Sequence, residues 1–247
     1  LVAHYQRKLG DGMHHTNAAY AAMVHSMDEN VGRLMRKLEE TGQASNTIVV
    51  FTSDNGGFIN EHGGAVVTSN APWRSGKGSL YEGGIRVPLL VRLPGSAGHI
   101  CETPIVSFDL YPTLAELSGS PIPSTQAAAM DGKSFAALLR NPNTVLPRRP
   151  LFFHFPHYYT TTTPASAVIE GKWKLIEYFE DGRVELYHLR DDPYERRDLA
   201  GREPERARRM QRQLTVWRQS VDAQMPTRNP NAATAMRERP TLKPSPL

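Results

Sequence analysis

Ile48-Val49-Val50-Phe51 is a short, unbroken apolar run that follows a long amphipathic stretch. A run of this length without polar alternation suits a strand covered on both faces, as in a parallel sheet beneath helices. Upstream, Tyr20, Met23, Val24, Met27, Val31, Leu34, Met35 and Leu38 recur at the three- and four-residue spacing of one helix face. Thr16 or Asn17 can cap the start of that helix and Gly42 its end. Residues 87–93 read as a second strand, with Pro88 near its beginning, where a missing donor is tolerated. Residues 109–117 read as the next helix, and Pro112 falls in its first turn. Helix, strand, loop, strand, helix is the order of a doubly wound α/β sheet. Two such strands are too few for a stable sheet, so the remaining strands are expected upstream of Leu1.

The second half has a different texture. Residues 121–126 and 141–150 are rich in proline and polar residues and bracket a short helix around 134–139, which places a domain boundary between 140 and 150. Residues 166–170, 173–179 and 184–189 read as short strands, the last two joined by the turn Glu180-Asp181-Gly182-Arg183. A helix over about 203–221 carries Met210, Leu214, Trp217 and Val221 on one face. The expected fold is therefore α/β. Residues 1–145 supply part of a doubly wound, mostly parallel sheet with helices on both faces. Residues 146–225 form a small α+β subdomain, an antiparallel sheet with one helix, and 226–247 are a proline-rich tail.

Composition excludes several function classes. The net charge is +4, and much of the basic excess lies between Arg202 and Arg218, where it reads as a solvated helix face; no nucleic-acid motif accompanies it, so no nucleic-acid partner is expected. One cysteine, Cys101, rules out an internal disulfide and a cysteine-based zinc site. No apolar run approaches the roughly 20 residues of a membrane span. The start, Leu1-Val2-Ala3-His4-Tyr5-Gln6, is not a signal peptide and lacks an initiating methionine, so an upstream portion is expected to have been removed.

The chemistry concentrates after the first strand. Asp54 and Asn55 offer a carboxylate and a carboxamide oxygen, donors that calcium and magnesium prefer, at the carboxyl end of a strand, where α/β sheets bind ligands. Asp-Asn-Gly-Gly is equally ordinary turn chemistry, and two donors are fewer than the six oxygens such an ion takes. Lys77 lies between two glycines, so the backbone can approach a ligand while the ammonium meets an anionic oxygen; an exposed lysine in a flexible loop is the plainer reading. Arg86 either pairs with Glu82 or faces that anion.

In combination, Ser53-Asp54-Asn55-Gly56-Gly57, a loop of about twenty residues, and Gly76-Lys77-Gly78-Ser79-Leu80-Tyr81-Glu82-Gly83-Gly84-Ile85-Arg86-Val87-Pro88 between two strands resemble the metal and sulfate segments of type I sulfatases, in the alkaline phosphatase superfamily. The resemblance continues through Ser107-Phe108-Asp109-Leu110-Tyr111-Pro112-Thr113-Leu114, Met130-Asp131-Gly132-Lys133-Ser134-Phe135 and Glu185-Leu186-Tyr187-His188-Leu189-Arg190-Asp191-Asp192-Pro193, covering about residues 17–200. It implies hydrolysis of a sulfate ester beside one divalent cation, usually calcium, with magnesium the alternative. The ligands would include Asp54 and Asn55, and Lys77 would contact a sulfate oxygen. The family's nucleophile is formylglycine, made from a Cys/Ser-x-Pro-x-Arg motif, and a histidine or lysine acid helps the alcohol leave.

The departures are specific. Cys101-Glu102-Thr103-Pro104-Ile105 does not fit the nucleophile motif, and no serine here does. The upstream pair of aspartates, the Lys-x-His segment and the histidine preceding the helix near Asn17 have no counterparts either; His4, His14 and His15 lack the expected surroundings. The resemblance thus implies the carboxyl-terminal part of a sulfatase, inactive alone, with formylglycine upstream and a sulfated small molecule or carbohydrate as substrate. It also implies a periplasmic or secreted setting. A phosphate or phosphonate monoester hydrolase of the same superfamily and a non-catalytic anion-binding relative are the alternatives. His154 and His157 sit in an aromatic segment; His157 is a candidate contact to a sugar hydroxyl, or a packed, satisfied histidine. Trp173 reads as core.

Overall fold

A computed structural model describes residues 1–227; all of the proline-rich tail except residues 226 and 227 lies outside the described residues. A short helix α1 (Val2–Gln6) precedes the long α2 (Ala18–Glu40). The Asn17 side chain accepts a hydrogen bond from the Tyr20 amide at 2.9 Å and caps α2. Gly42, at φ +69°, ends it in the left-handed turn that lets Gln43 N–H reach Leu38 O at 2.8 Å. The apolar stripe expected on α2 is only partly covered: Ala18 and Ala22 are buried, whereas Met23, Val24, Met27 and Leu34 are exposed. At 23 residues α2 is long enough for its backbone ladder and helix-forming composition to sustain it without a fully packed face.

Strand β1 (Val49–Thr52) follows, then a two-residue hairpin, β2 (Glu61–His62) and β3 (Ala65–Val66). Gly63 and Gly64 supply the two positive φ values, 62° and 81°, that its tight turn demands. A single helical turn, α3 (Glu82–Ile85), leads to β4 (Leu89–Arg92), which pairs with β1 in antiparallel register, Val50 opposite Val91. Here the expected double cover is corrected. Val49 and Val50 are half-buried, but Phe51, Thr52 and Leu90 are exposed, and no third strand pairs with β1 or β4 among the described residues.

A 3-10 turn (Ser107–Asp109) runs into α4 (Leu110–Leu117), and α5 (Ser124–Ala128) and α6 (Ala136–Arg140) follow. The buried Asp109 carboxylate organises this region, accepting from Val106 N at 3.1 Å and Lys133 N at 2.8 Å. Thr113 Oγ1 accepts from Phe135 N at 3.0 Å and donates to Asp109 O at 2.7 Å, so the 130–135 segment is fixed to α4 by buried polar bonds.

The last part is a four-stranded antiparallel sheet in sequence order, β5 (Leu151–Phe155), β6 (Ala165–Glu170), β7 (Trp173–Tyr178) and β8 (Val184–His188), followed by α7 (Pro204–Ser220). Strand β5 was not foreseen; its Phe-Phe-His-Phe run reads as an aromatic cluster until pairing with β6 is known. On one face Val168, Leu175 and Leu186 pack against Ala207, Met210 and Leu214 of α7. On the other, Ala165, Ala167, Ile176, Tyr178 and Tyr187 pack against Leu80 and Tyr81. The sheet is thus covered twice, by the expected helix and by a loop the strand pattern gave no reason to place there.

The described chain falls into two units, each built from separated segments. One comprises residues 1–28, 55–87 and those from 148 onward, and holds the four-stranded sheet; the other comprises 29–54 and 88–147, and holds the β1–β4 pair and α4 to α6.

Candidate functional site

The loop carrying Lys77 is laced by its own backbone. Gly56 N donates to Gly84 O at 2.9 Å, Lys77 N to Gly57 O at 3.0 Å, and Gly83 N to Arg74 O at 2.9 Å. The Asn70 amide bridges the same strands of chain, donating to Gly57 O and Ser75 O at 3.1 Å each and accepting from Gly57 N at 3.0 Å. Glycine is required where these segments touch: a Cβ on Gly56 would lie 1.7 Å from Gly83 O, and one on Gly84 2.1 Å from Ser79 O. The segment that begins at Asn55 is therefore brought against the Lys77 loop. Lys77 is exposed, and its ammonium makes no hydrogen bond or ion pair with the described residues.

Asp54 is exposed and lies just past the end of β1; Asn55, next in the chain, is half-buried and engaged within the fold. Their oxygens suit a hard cation, but they are two donors where calcium takes six to eight. Among the described residues no cluster of three or more His, Cys, Asp or Glu could hold a metal. Arg86 pairs with Glu82 at 3.4 Å, and its guanidinium stacks 4.2 Å over the Trp73 ring while staying half-exposed. His157 is exposed, its ring edge-on to Phe155 at 5.3 Å. His154 has both ring nitrogens engaged, with Ser166 Oγ at 2.6 Å and Gln224 O at 2.7 Å. Trp173 lies under the Arg206 guanidinium at 4.3 Å and against the Leu175 face of the sheet.

Behind the loop lies a buried polar network that the sequence reading missed. Lys174 is fully buried, with its ammonium 3.0 Å from Glu82 and 2.7 Å from Glu195. Glu195 also accepts from the Glu82 amide at 2.6 Å, which anchors the first turn of α3. The Arg74 guanidinium donates to Tyr187 Oη at 3.0 Å and Glu195 O at 2.7 Å and lies 3.9 Å over the Tyr81 ring. Tyr81 and Tyr187 both donate to Glu185, at 2.6 and 2.8 Å, and Tyr178 donates to Tyr81 at 3.0 Å. Burial raises the Glu195 carboxyl despite the opposing Lys174 charge, and it pushes the Tyr187 hydroxyl up to about 12, with Tyr81 and Tyr178 raised as well. One sequence signal existed: strand alternation puts Lys174 on the same face as Ile176 and Tyr178, not on that of Leu175.

Together these features define an α/β protein in which a glycine-tight loop, backed by a buried charge network, presents an exposed lysine whose ammonium has no partner among the described residues. The match to the sulfatase family model extends over residues 2–120, and that to the carboxyl-terminal model of N-sulphoglucosamine sulphohydrolase over residues 74–220. The chain belongs to the sulfatase family. It is similar to a sulfatase of Formosa agariphila, 38% identical over 240 residues, which cover 88% of this chain and 42% of that protein. It is 31% identical to the N-acetylglucosamine-6-O-sulfatase of Bacteroides thetaiotaomicron, covering 74% of this chain and 32% of that one. The crystal structure of Ps i-CgsB in complex with k-i-k-neocarrahexaose superimposes with a TM-score of 0.72 at 28% identity, over 91% of this chain and 48% of that one. The chain therefore spans less than half the length of these relatives. No helix among the described residues is long and apolar enough to cross a membrane.

Proposed function

We propose that this chain is the carboxyl-side part of a sulfatase that hydrolyses a sulfate ester on a carbohydrate, with Lys77 contacting a sulfate oxygen and Asp54 and Asn55 among the ligands of a divalent cation, calcium in preference to magnesium. The observation that carries the reading is the exposed Lys77 ammonium, without a partner among the described residues, in a loop hydrogen-bonded to the segment that Asn55 begins. The carbohydrate is suggested by the similarity to an N-acetylglucosamine-6-O-sulfatase and to a protein crystallised in complex with k-i-k-neocarrahexaose. A bound cation supplies charge stabilisation of sulfate oxygens. In this chain, Asp54 and Asn55 offer it two oxygens, Lys77 neutralises part of the charge developing on the anion, and the laced backbone keeps that ammonium from wandering. Because no Cys/Ser-x-Pro-x-Arg segment occurs in the sequence, the nucleophile and the remaining ligands are assigned to residues outside this chain, and this chain alone is expected to be without turnover.

The test is turnover of an aryl sulfate, and of an aryl phosphate for comparison, by a protein in which this chain is joined to the upstream portion proposed to carry the nucleophile. Lys77→Ala is expected to lower kcat/KM for the sulfate ester about 100-fold, the size of losing one charge-stabilising donor. Asp54→Ala is expected to raise the calcium needed for half-maximal activity. Preferential turnover of the phosphate would move the assignment to the phosphate or phosphonate monoester hydrolases, and unchanged turnover in both variants would remove it.

A further inference from the structure

The turn joining β5 to β6 lies directly on the lysine loop. It is closed by two reciprocal backbone bonds between Tyr159 and Thr162, at 3.0 and 3.1 Å. The hydroxyl of Thr161, a residue only 4% exposed, donates to the carbonyl oxygen of Lys77 itself at 2.7 Å. The Tyr159 ring presses on Gly78, where an added Cβ would come within 2.3 Å of the ring; Gly78 has φ +89°, so both space and backbone demand glycine there. Asn60 Nδ2 donates to Thr160 Oγ1 at 2.6 Å, tying the turn to the chain that follows Gly57. Both backbone polar groups of Lys77 are thus fixed, the N–H by Gly57 and the C=O by Thr161, while its side chain stays unpartnered among the described residues.

We propose that Thr161 is a positioning residue for the anion site, a hydroxyl that fixes the Lys77 backbone so that the ammonium is presented to an oxyanion from a rigid base. This rests on the reading of Lys77 as the sulfate contact. A cation on a mobile loop loses loop freedom when its anion binds, and a loop already fixed does not. Thr161 provides that fixing through its hydrogen bond to the Lys77 carbonyl.

The experiment is a titration of this chain with inorganic sulfate at constant ionic strength, followed by the amide chemical shifts of Gly76, Lys77, Gly78 and Ser79. The wild type is expected to saturate. Thr161→Val, which keeps the shape and removes the donor, and Thr161→Ala, which introduces no new methyl group where the hydroxyl sat, are each expected to bind about fivefold more weakly, the effect of one net hydrogen bond. Thr161→Ser keeps the donor and is expected to stay within about twofold of the wild type, with circular dichroism melts confirming that each variant is folded. Val and Ala variants that titrate like the wild type, or a Ser variant as weak as they are, would overturn the proposal. Lys77→Ala separates the two levels: if it responds to sulfate as the wild type does, the Lys77 reading itself falls; if it loses the response while Thr161→Val keeps it, only the role of Thr161 falls.

Discussion

Ser75 holds φ at +63° two residues before Lys77, and its hydroxyl is buried without a hydrogen-bond partner among the described residues. A side chain in the left-handed region costs about 1–2 kcal/mol, and a buried unpaired hydroxyl adds to that. Glycine removes both at the expense of some unfolded-state entropy. Ser75→Gly is therefore expected to stabilise the chain by about 1 kcal/mol, read as a higher urea midpoint with unchanged m-value. A lower midpoint would mean that the hydroxyl has a partner that matters more than the strain. The same loop shows what could be read residue by residue. Lys77 between glycines was visible in the sequence, because glycine marks close backbone approach. The need for glycine at 56 and 84 became specific only when their neighbours, Gly83 O and Ser79 O, were known.

Helix α7 is one face of a sandwich. Its Met210 and Leu214 are fully buried against Val168, Leu175 and Leu186, while two of its arginines reach carboxylates of the sheet: Arg209 pairs with Glu170 at 2.6 Å and Arg218 with Glu177 at 2.6 Å. The basic run from Arg202 to Arg218 is thus in part a set of intramolecular partners, while Arg202, Arg208 and Arg212 remain exposed. Deleting most of the Leu214 side chain leaves a cavity between helix and sheet, so Leu214→Ala is expected to cost about 2–5 kcal/mol, measured by denaturant unfolding. A loss below about 1 kcal/mol would show that α7 is not a cooperative part of the sheet's core. The 3.6-residue spacing of Met210, Leu214 and Trp217 made this helix legible in advance, since periodicity reports which face is buried. It could not report that the opposite face of the sheet is filled by Leu80 and Tyr81, which lie about a hundred residues upstream.

Taken as a molecule, the chain should respond to pH through its buried acids. Burial raises Glu195 above the ordinary carboxylate range, so its contribution is fully present below about 4.5 and is lost as pH rises through the folded-state value. The stability difference between wild type and Glu195→Gln is thus expected to shift toward the variant as pH rises from that range. Tyr187, pushed up to about 12, contributes stability that is complete below its usual value of 10.0 and is lost as pH climbs toward 12. Tyr187→Phe is expected to flatten that alkaline decline, whatever its effect at neutral pH. Melting temperatures across pH check both; parallel curves for variant and wild type would refute the assignment. The local order of elements followed from the amino-acid sequence alone: α2, β1, β4, α4, the last three strands and α7 lie within a few residues of where spacing, proline and glycine put them, because those signals act over one turn or one strand. Asp54, Asn55 and Lys77 stand out locally as candidates of suitable chemistry, and their roles rest on the family resemblance. What only the folded chain decided is which distant segments meet: the burial of Lys174 between Glu82 and Glu195, the antiparallel pairing of β1 with β4, and Thr161 on the carbonyl of Lys77. Those contacts join residues tens of positions apart or more, and no local periodicity encodes the partner of a hydrogen bond or of a buried charge.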